Sequence, residues 1–143
     1  MRLVTSFVFI FIFVACSPAV RSPALLAPPP VDLPAFVQQL TPDQAAALIQ
    51  NTPDLVILDT REMWEIEQDG HLPKSVYVDY LNLGRFEEKT AKLDPAKSYF
   101  IYCAIGGRSE LASKLLAARG FSHLALLTGG LDAWIKTGKP VEK

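Results

Sequence analysis

Four short, largely apolar runs are spaced along the chain from residue 55 onward. They cover residues 55–58, 75–78, 99–102 and 124–127. Each has the length of a β-strand, and an unbroken apolar run is typical of a strand that is buried on both faces of a parallel sheet. Residues 36–40 predict a further short first strand, or an edge strand, before these four.

Two segments between the strands have the pattern of helices. Residues 41–43 supply an N-cap, a proline at the first helical position and an early acid, and the apolar stripe that follows ends near Asn51. Residues 109–119 place leucines on one helical face, and Gly120 predicts the end of that helix. Strands that alternate with helices predict an α/β fold, with a central parallel sheet of about five strands flanked by helices on both faces.

Composition and charge restrict the classes of function. The 143 residues suffice for one domain, and 14 Lys/Arg against 15 Asp/Glu give a net charge of −1, which does not favour nucleic acid as a partner. The two cysteines form no C-x-x-C pair and the two histidines lie far apart, so no metal site is expected. We expect no cofactor, and the sequence leaves the oligomeric state open.

Residues 1–16 have the pattern of an export signal. A positive start precedes roughly 13 apolar residues, fewer than the ~20 that a membrane-spanning helix needs. Residues 13–16, Phe-Val-Ala-Cys, resemble the lipobox of bacterial lipoproteins, in which the cysteine, here Cys16, is lipidated and becomes the mature N-terminus. Ordinary cleavage after Ala19 is the alternative, and it would release a soluble protein.

The segment that follows has the composition of a tether. Residues 17–35 are rich in Pro and Ala, which predicts an extended, semi-rigid linker before a domain of residues 36–143. We therefore expect an exported protein of the periplasm or cell envelope that contacts the membrane through a lipid on Cys16.

Two predicted strands end in reactive residue types. Residues 59–61, Asp-Thr-Arg, follow one strand, and residues 103–109, Cys-Ala-Ile-Gly-Gly-Arg-Ser, follow another. Ligands of parallel sheets bind beyond the carboxyl ends of the strands, so we expect the functional site at this edge.

Residues 103–109 predict an anion-binding loop around a nucleophile. The glycines permit a backbone that turns successive N–H groups inward, and the following helix adds the positive end of its dipole. Arg108 adds a full charge suited to sulfonate or phosphate oxygens. Such a field favours the thiolate of Cys103. The alternative, a small buried apolar cysteine, does not account for the Gly-Gly-Arg-Ser that follows it.

The loop resembles the C-x-x-G-x-R-S active loop of rhodanese-like sulfurtransferases. Residues 59–65 match that family's D-x-R-x-x-x-E stretch, and Gly-His-Leu-Pro at 70–73 is similar to its G-H-I-P stretch, with Lys74-Ser75 in place of the frequent Gly-Ala. Leu-Thr-Gly-Gly at 127–130, with Trp134 and the segment 138–141, resembles the family's ending.

The resemblance implies a ping-pong cycle with Cys103 as the catalytic residue. Cys103 takes a sulfane sulfur from a small anionic donor such as thiosulfate, becomes a persulfide, and passes the sulfur to a thiol or cyanide-like acceptor. The implied substrate- and anion-binding residues are Ala104, Ile105, Gly106, Gly107, Arg108, Ser109 and Arg61. Arg61 is either paired with Asp59, which is read as structural support, or free to attract anions. His71 is expected to pack at its turn, and Trp134 in the core.

Two other functions are alternatives. Cys-dependent phosphatases and arsenate reductases also use a Cys…Arg loop, but theirs holds one more residue than the four between Cys103 and Arg108. The second alternative is a sulfur carrier without turnover, or a binding module.

Overall fold

A computed structural model describes residues 32–143 of the chain. The predicted signal peptide, the lipobox with Cys16 and linker residues 17–31 lie outside the described residues. None of the helices within residues 32–143 is both long enough and apolar enough to cross a lipid bilayer.

Five parallel strands form one sheet in the order β1-β5-β4-β2-β3. This arrangement confirms the predicted α/β fold with a central parallel sheet. The first strand is shorter than predicted because residues 35–36 lie in a turn, which the Val37 amide closes by donating to the Pro34 carbonyl. The strands are β1 (Gln38–Leu40), β2 (Val56–Asp59), β3 (Val76–Tyr77), β4 (Tyr99–Tyr102) and β5 (Leu124–Leu127).

Within residues 32–143, five helices connect or follow the strands. The first begins at the predicted proline, and Thr41 and Gln44 close it with a reciprocal capping box. The fourth begins two residues before the predicted Ser109, since Gly106 already acts as its N-cap. The helices are α1 (Pro42–Asn51), α2 (Met63–Asp69), α3 (Leu83–Thr90), α4 (Gly107–Ala118) and α5 (Gly130–Lys136).

The sheet separates two apolar cores, since neighbouring strand residues point to opposite faces. Leu58 belongs to the core that contains Phe86 of α3 and Leu116 of α4. Ile57 belongs to the core that contains Ala45 of α1 and Trp134 of α5. Trp134 is 4% exposed, in agreement with its predicted place in the core.

The end of the predicted linker also contacts the domain. Leu33 is partly buried and packs against the core that contains Leu58. Burial of a large aliphatic side chain contributes about 1.5–3 kcal/mol when complete. The apolar contacts of the domain therefore begin just before the predicted boundary at residue 36.

Candidate active site

Cys103 lies at the carboxyl end of β4, in the middle of the sheet. Strand β4 pairs with β2 on one side and β5 on the other, and all four of its residues are buried. The backbone leaves the sheet directly after Tyr102, and the Cys103 side chain stays 1% exposed at the base of the loop. The candidate site therefore lies at the carboxyl ends of the central strands.

The sulfur of Cys103 accepts a hydrogen bond from the loop backbone, and a hydroxyl lies nearby. The Gly106 amide donates to its Sγ atom at 3.0 Å, and the Ser109 hydroxyl lies 3.8 Å from the same atom. Ser109 also donates to the Gly106 carbonyl at 2.7 Å. A donor directed at sulfur stabilises negative charge on it, whether that sulfur belongs to a thiolate or to a longer sulfur chain.

One of the two loop glycines has a backbone that requires glycine. Gly106 has φ of 113°, which other residues rarely adopt, and this turn brings its N–H towards the thiol. Gly107 is exposed, has no positive φ and opens α4. The sequence assigned the same conformational role to both glycines, and the structure assigns it to Gly106.

Two backbone amides of helix α5 donate hydrogen bonds to carbonyls of the Cys103 loop. The Leu131 amide donates to the Cys103 carbonyl at 2.8 Å, and the Asp132 amide donates to the Ala104 carbonyl at 3.1 Å. A Cβ atom on Gly130 would lie 2.5 Å from the Cys103 carbonyl oxygen, so only glycine allows this approach. Sequence reasoning missed this contact, although the Gly-Gly pair at 129–130 was its signal.

Arg108 is paired with a glutamate of α2. Its guanidinium donates two hydrogen bonds of 2.5 Å to the two carboxylate oxygens of Glu65, and the side chains are 20% and 9% exposed. The hydrogen bonds from Arg108 hold the pKa of Glu65 below its ordinary value, and the same pair, with a smaller contribution from Cys103, raises the pKa of Arg108. Sequence reasoning did not count Glu65 among the site residues. Its place in the D-x-R-x-x-x-E stretch was the signal.

Arg61 lies in a buried ion pair with Asp59, which is the first of the two alternatives that the sequence left open. It is fully buried, and its guanidinium donates to Asp59 at 2.7 and 3.0 Å and to the Gly70 carbonyl at 2.7 Å. Burial disfavours the charged guanidinium, but Asp59 outweighs that cost and raises the pKa of Arg61. Asp59 thus provides the structural support that was predicted for it.

A hydrogen-bonded network continues from Asp59 to His71. The Tyr102 hydroxyl donates to Asp59 at 2.6 Å and accepts from the Leu72 amide at 3.1 Å. His71 contacts the Leu72 carbonyl and Ser75 through Nδ1, as expected for a residue that packs at its turn. Burial raises the pKa of Tyr102, so its hydroxyl stays protonated and the network is structural.

The mouth of the site is apolar. Ile105 is 73% exposed at the tip of the loop, and Ala104 beside it is half-buried. Neither side chain contributes a polar atom. Their contribution to anion binding is therefore limited to backbone N–H groups, while Gly106, Arg108 and Ser109 surround the buried sulfur.

A family description and two curated relatives match the chain. Residues 41–137 match the family described as the rhodanese-like domain. A candidate sulfur carrier protein, YrkF, of Bacillus subtilis (strain 168) is 32% identical over 111 residues, which are 78% of this chain but only 52% of that protein. The thiosulfate:glutathione sulfurtransferase of Saccharomyces cerevisiae is 31% identical over 99 residues, covering 62% of this chain and 70% of that enzyme.

Two solved structures share the fold. The polysulfide-sulfur transferase homodimer of Wolinella succinogenes has a TM-score of 0.63 at 31% identity, covering 75% of this chain and 79% of that one. A Rhodopseudomonas palustris protein of unknown function, described as a possible tyrosine phosphatase, has a TM-score of 0.64 at 33% identity, covering 74% and 85%. From the matched residues, the sheet and the Cys103 loop, we conclude that the chain belongs to the rhodanese-like domain family.

Proposed function

We propose that this protein is a sulfurtransferase that moves a sulfane sulfur from a small anionic donor such as thiosulfate to a thiol or cyanide-like acceptor through a persulfide on Cys103. The thiolate attacks the outer sulfur of thiosulfate, the S–S bond of the donor breaks, and sulfite leaves with the bonding electron pair. The acceptor then attacks the terminal sulfur of the persulfide and regenerates the Cys103 thiolate.

The hydrogen bond from the Gly106 amide to the Cys103 sulfur carries this proposal. It shows that the loop directs an N–H donor at the sulfur atom, at 3.0 Å, in a site where the side chain is 1% exposed. In such a site a fixed donor needs no reorganisation when charge develops, and therefore stabilises the thiolate, the persulfide and the transition state between them.

Mass spectrometry of the full chain after treatment with millimolar thiosulfate tests the proposal. We expect a gain of one sulfur atom on the peptide that contains Cys103, and its removal by cyanide with formation of thiocyanate. Cys103→Ser should abolish the adduct, whereas Cys16→Ala should keep it. An untouched Cys103 would contradict the proposal.

The two alternative functions, sulfur carriage and phosphate transfer, predict different results. A sulfur carrier, the function suggested by the name of the Bacillus subtilis relative, forms the persulfide but does not turn over with cyanide in excess. A phosphatase, suggested by the description of the Rhodopseudomonas palustris structure, hydrolyses a phosphate ester, and that activity disappears in Cys103→Ser. The short Cys103–Arg108 spacing supports sulfur transfer over phosphate transfer.

Export and lipidation are part of the proposal. The apolar run and the lipobox-like residues 13–16 support attachment to the cell envelope through a lipid on Cys16. Fatty-acid labelling in cells should mark the protein and should fail in Cys16→Ala. Labelling that survives this substitution, or that never occurs, would contradict the anchor.

A further inference from the structure

The cationic side chain beside Cys103 already has an anionic partner. Arg108 gives two N–H donors to Glu65, and Glu65 takes a third hydrogen bond from the Glu62 amide at 2.9 Å. A bidentate pair of this kind is among the stronger charge-assisted contacts in proteins. A donor sulfonate that approaches Cys103 therefore meets an arginine whose charge is largely compensated.

Separating this pair to free Arg108 is unfavourable. Glu65 is 7% exposed, and without Arg108 its carboxylate would be held in a poorly solvated site by the Glu62 amide. Removing one partner of a buried ion pair leaves an uncompensated charge, which costs more than the pair gains. The Arg61 guanidinium cannot take over, because its donors go to Asp59 and the Gly70 carbonyl.

The charges near the sulfur then add up to a negative site. The charges of Arg108 and Glu65 cancel. In the thiolate form that attacks a donor, Cys103 adds one negative charge, which the Gly106 N–H stabilises only as a dipole. A donor with two negative charges is repelled twice as strongly as a donor with one, since the Coulomb energy is proportional to the donor charge. The site thus distinguishes donors by charge.

We infer that Glu65 is a specificity-determining residue that selects sulfur donors with a single negative charge over dianionic donors such as thiosulfate. The inference rests on the proposed function and specifies its donor class. A thiosulfonate, R–SO2–S⁻, has the required charge. The Cys103 thiolate attacks its terminal sulfur, the S–S bond of the donor breaks, and the sulfinate R–SO2⁻ leaves with the electron pair.

Thiosulfate and methanethiosulfonate form a matched pair of probes, since a methyl group replaces one oxyanion at the same sulfur centre. Persulfide formation on the full chain is followed with both donors in the wild type and in Glu65→Gln. The Gln oxygen can still accept from the Glu62 amide. Kcat/KM should rise about tenfold for thiosulfate and about threefold for methanethiosulfonate, an effect proportional to donor charge.

Glu67→Gln is the matched control, because this glutamate lies exposed on the same helix and loses the same charge. It should leave the ratio between the donors unchanged. A second measurement needs no variant. In the wild type, raising the ionic strength from about 0.05 M to about 0.5 M should reduce the disadvantage of thiosulfate, since salt screens the repulsion.

The outcomes separate this inference from the proposed function. A donor ratio that responds neither to Glu65→Gln nor to salt, while both donors still form the persulfide, overturns the role of Glu65 alone. If Glu65→Gln does not fold, the salt dependence in the wild type decides. No persulfide with either donor overturns the proposed function, and the inference with it.

Discussion

The segments that follow β2 and β4 begin at neighbouring points of the same sheet edge but treat their charges differently. After β2, Arg61 turns back under the edge and donates to Asp59 and the Gly70 carbonyl, with less than 1% of the residue exposed. After β4, Arg108 reaches across to α2 and keeps 20% of its side chain exposed, beside the Cys103 thiol. Arg61 is thus part of the protein interior, whereas Arg108 lies at the border of the candidate site.

The difference between Arg61 and Arg108 shows that a charged residue just after a strand can either support the fold or border a candidate site. After β2, the charges of Asp59 and Arg61 are paired with each other inside the domain, so this segment has a structural role. After β4, the Gly106 amide donates to the Cys103 sulfur at 3.0 Å, so this segment contains the candidate nucleophile. Substitutions in the first segment should therefore act on stability, and substitutions in the second on chemistry.

The largest expected effect is on stability, from Arg61→Met. It leaves Asp59 buried with the Tyr102 hydroxyl but without its cation, and breaking a buried pair in this way costs about 3–5 kcal/mol. Urea denaturation followed by circular dichroism measures the loss. Arg85→Met, at an exposed arginine of α3, is the control and should change the free energy of unfolding by less than about 0.5 kcal/mol. Similar effects from both variants would remove the contrast between the segments.

Gly130→Ala should have the next largest effect. It should lower both stability and activity, because it displaces the backbone of the Cys103 loop. The added Cβ meets the Cys103 and Ala104 carbonyls, and φ is +61°, so we expect a loss of about 2–4 kcal/mol together with most of the sulfur-transfer activity. Gly138→Ala is matched, since its φ is +73° but nothing lies within 4 Å of the new atom. It should cost about 1 kcal/mol and keep full activity. Equal activity losses in the two variants would show that α5 does not shape the loop.

The smallest effect is the pH dependence that Glu65 adds to stability. Because Arg108 lowers the pKa of Glu65 in the folded state, the contribution is fully present above the ordinary value of 4.5 and is lost as the pH falls through the folded pKa. Glu65→Gln should lower the free energy of unfolding by about 1.5–3 kcal/mol at pH 7, the size of a charge-assisted hydrogen bond. That difference should shrink below pH 4.5 in urea titrations. A difference independent of pH would mean that the pair contributes no electrostatic stability.

Most of the sheet could be predicted because its strands are apolar on both faces. The runs at Tyr99–Tyr102 and Leu124–Leu127 match strands residue for residue. Because these strands are buried on both faces, the apolar run begins and ends where the strand does. Helix α2 and helix α3 were not predicted as separate elements. In α3 two of its eight residues, Phe86 and Thr90, are buried, so the apolar stripe is too weak to read from the sequence.

In the site, local features could be predicted and distant partners could not. The loop glycines, the thiol and Arg108 lie within seven consecutive residues, so their chemistry could be inferred directly. Glu65 lies 43 residues from Arg108, and Leu131 donates to the Cys103 carbonyl from the last helix. Such pairings depend on which strands become neighbours. The same limit explains why the sequence left both alternatives for Arg61 open.

The contact between α5 and the Cys103 loop bears on when the loop can reach its final conformation during synthesis of the chain. Cys103 leaves the ribosome before Leu131 and Asp132, whose amides donate to the carbonyls of Cys103 and Ala104. Until those residues are synthesised, the two carbonyls lack their hydrogen-bond partners from α5. We therefore expect the loop to reach the conformation described above only when α5 has folded against it, and not in a nascent or truncated chain.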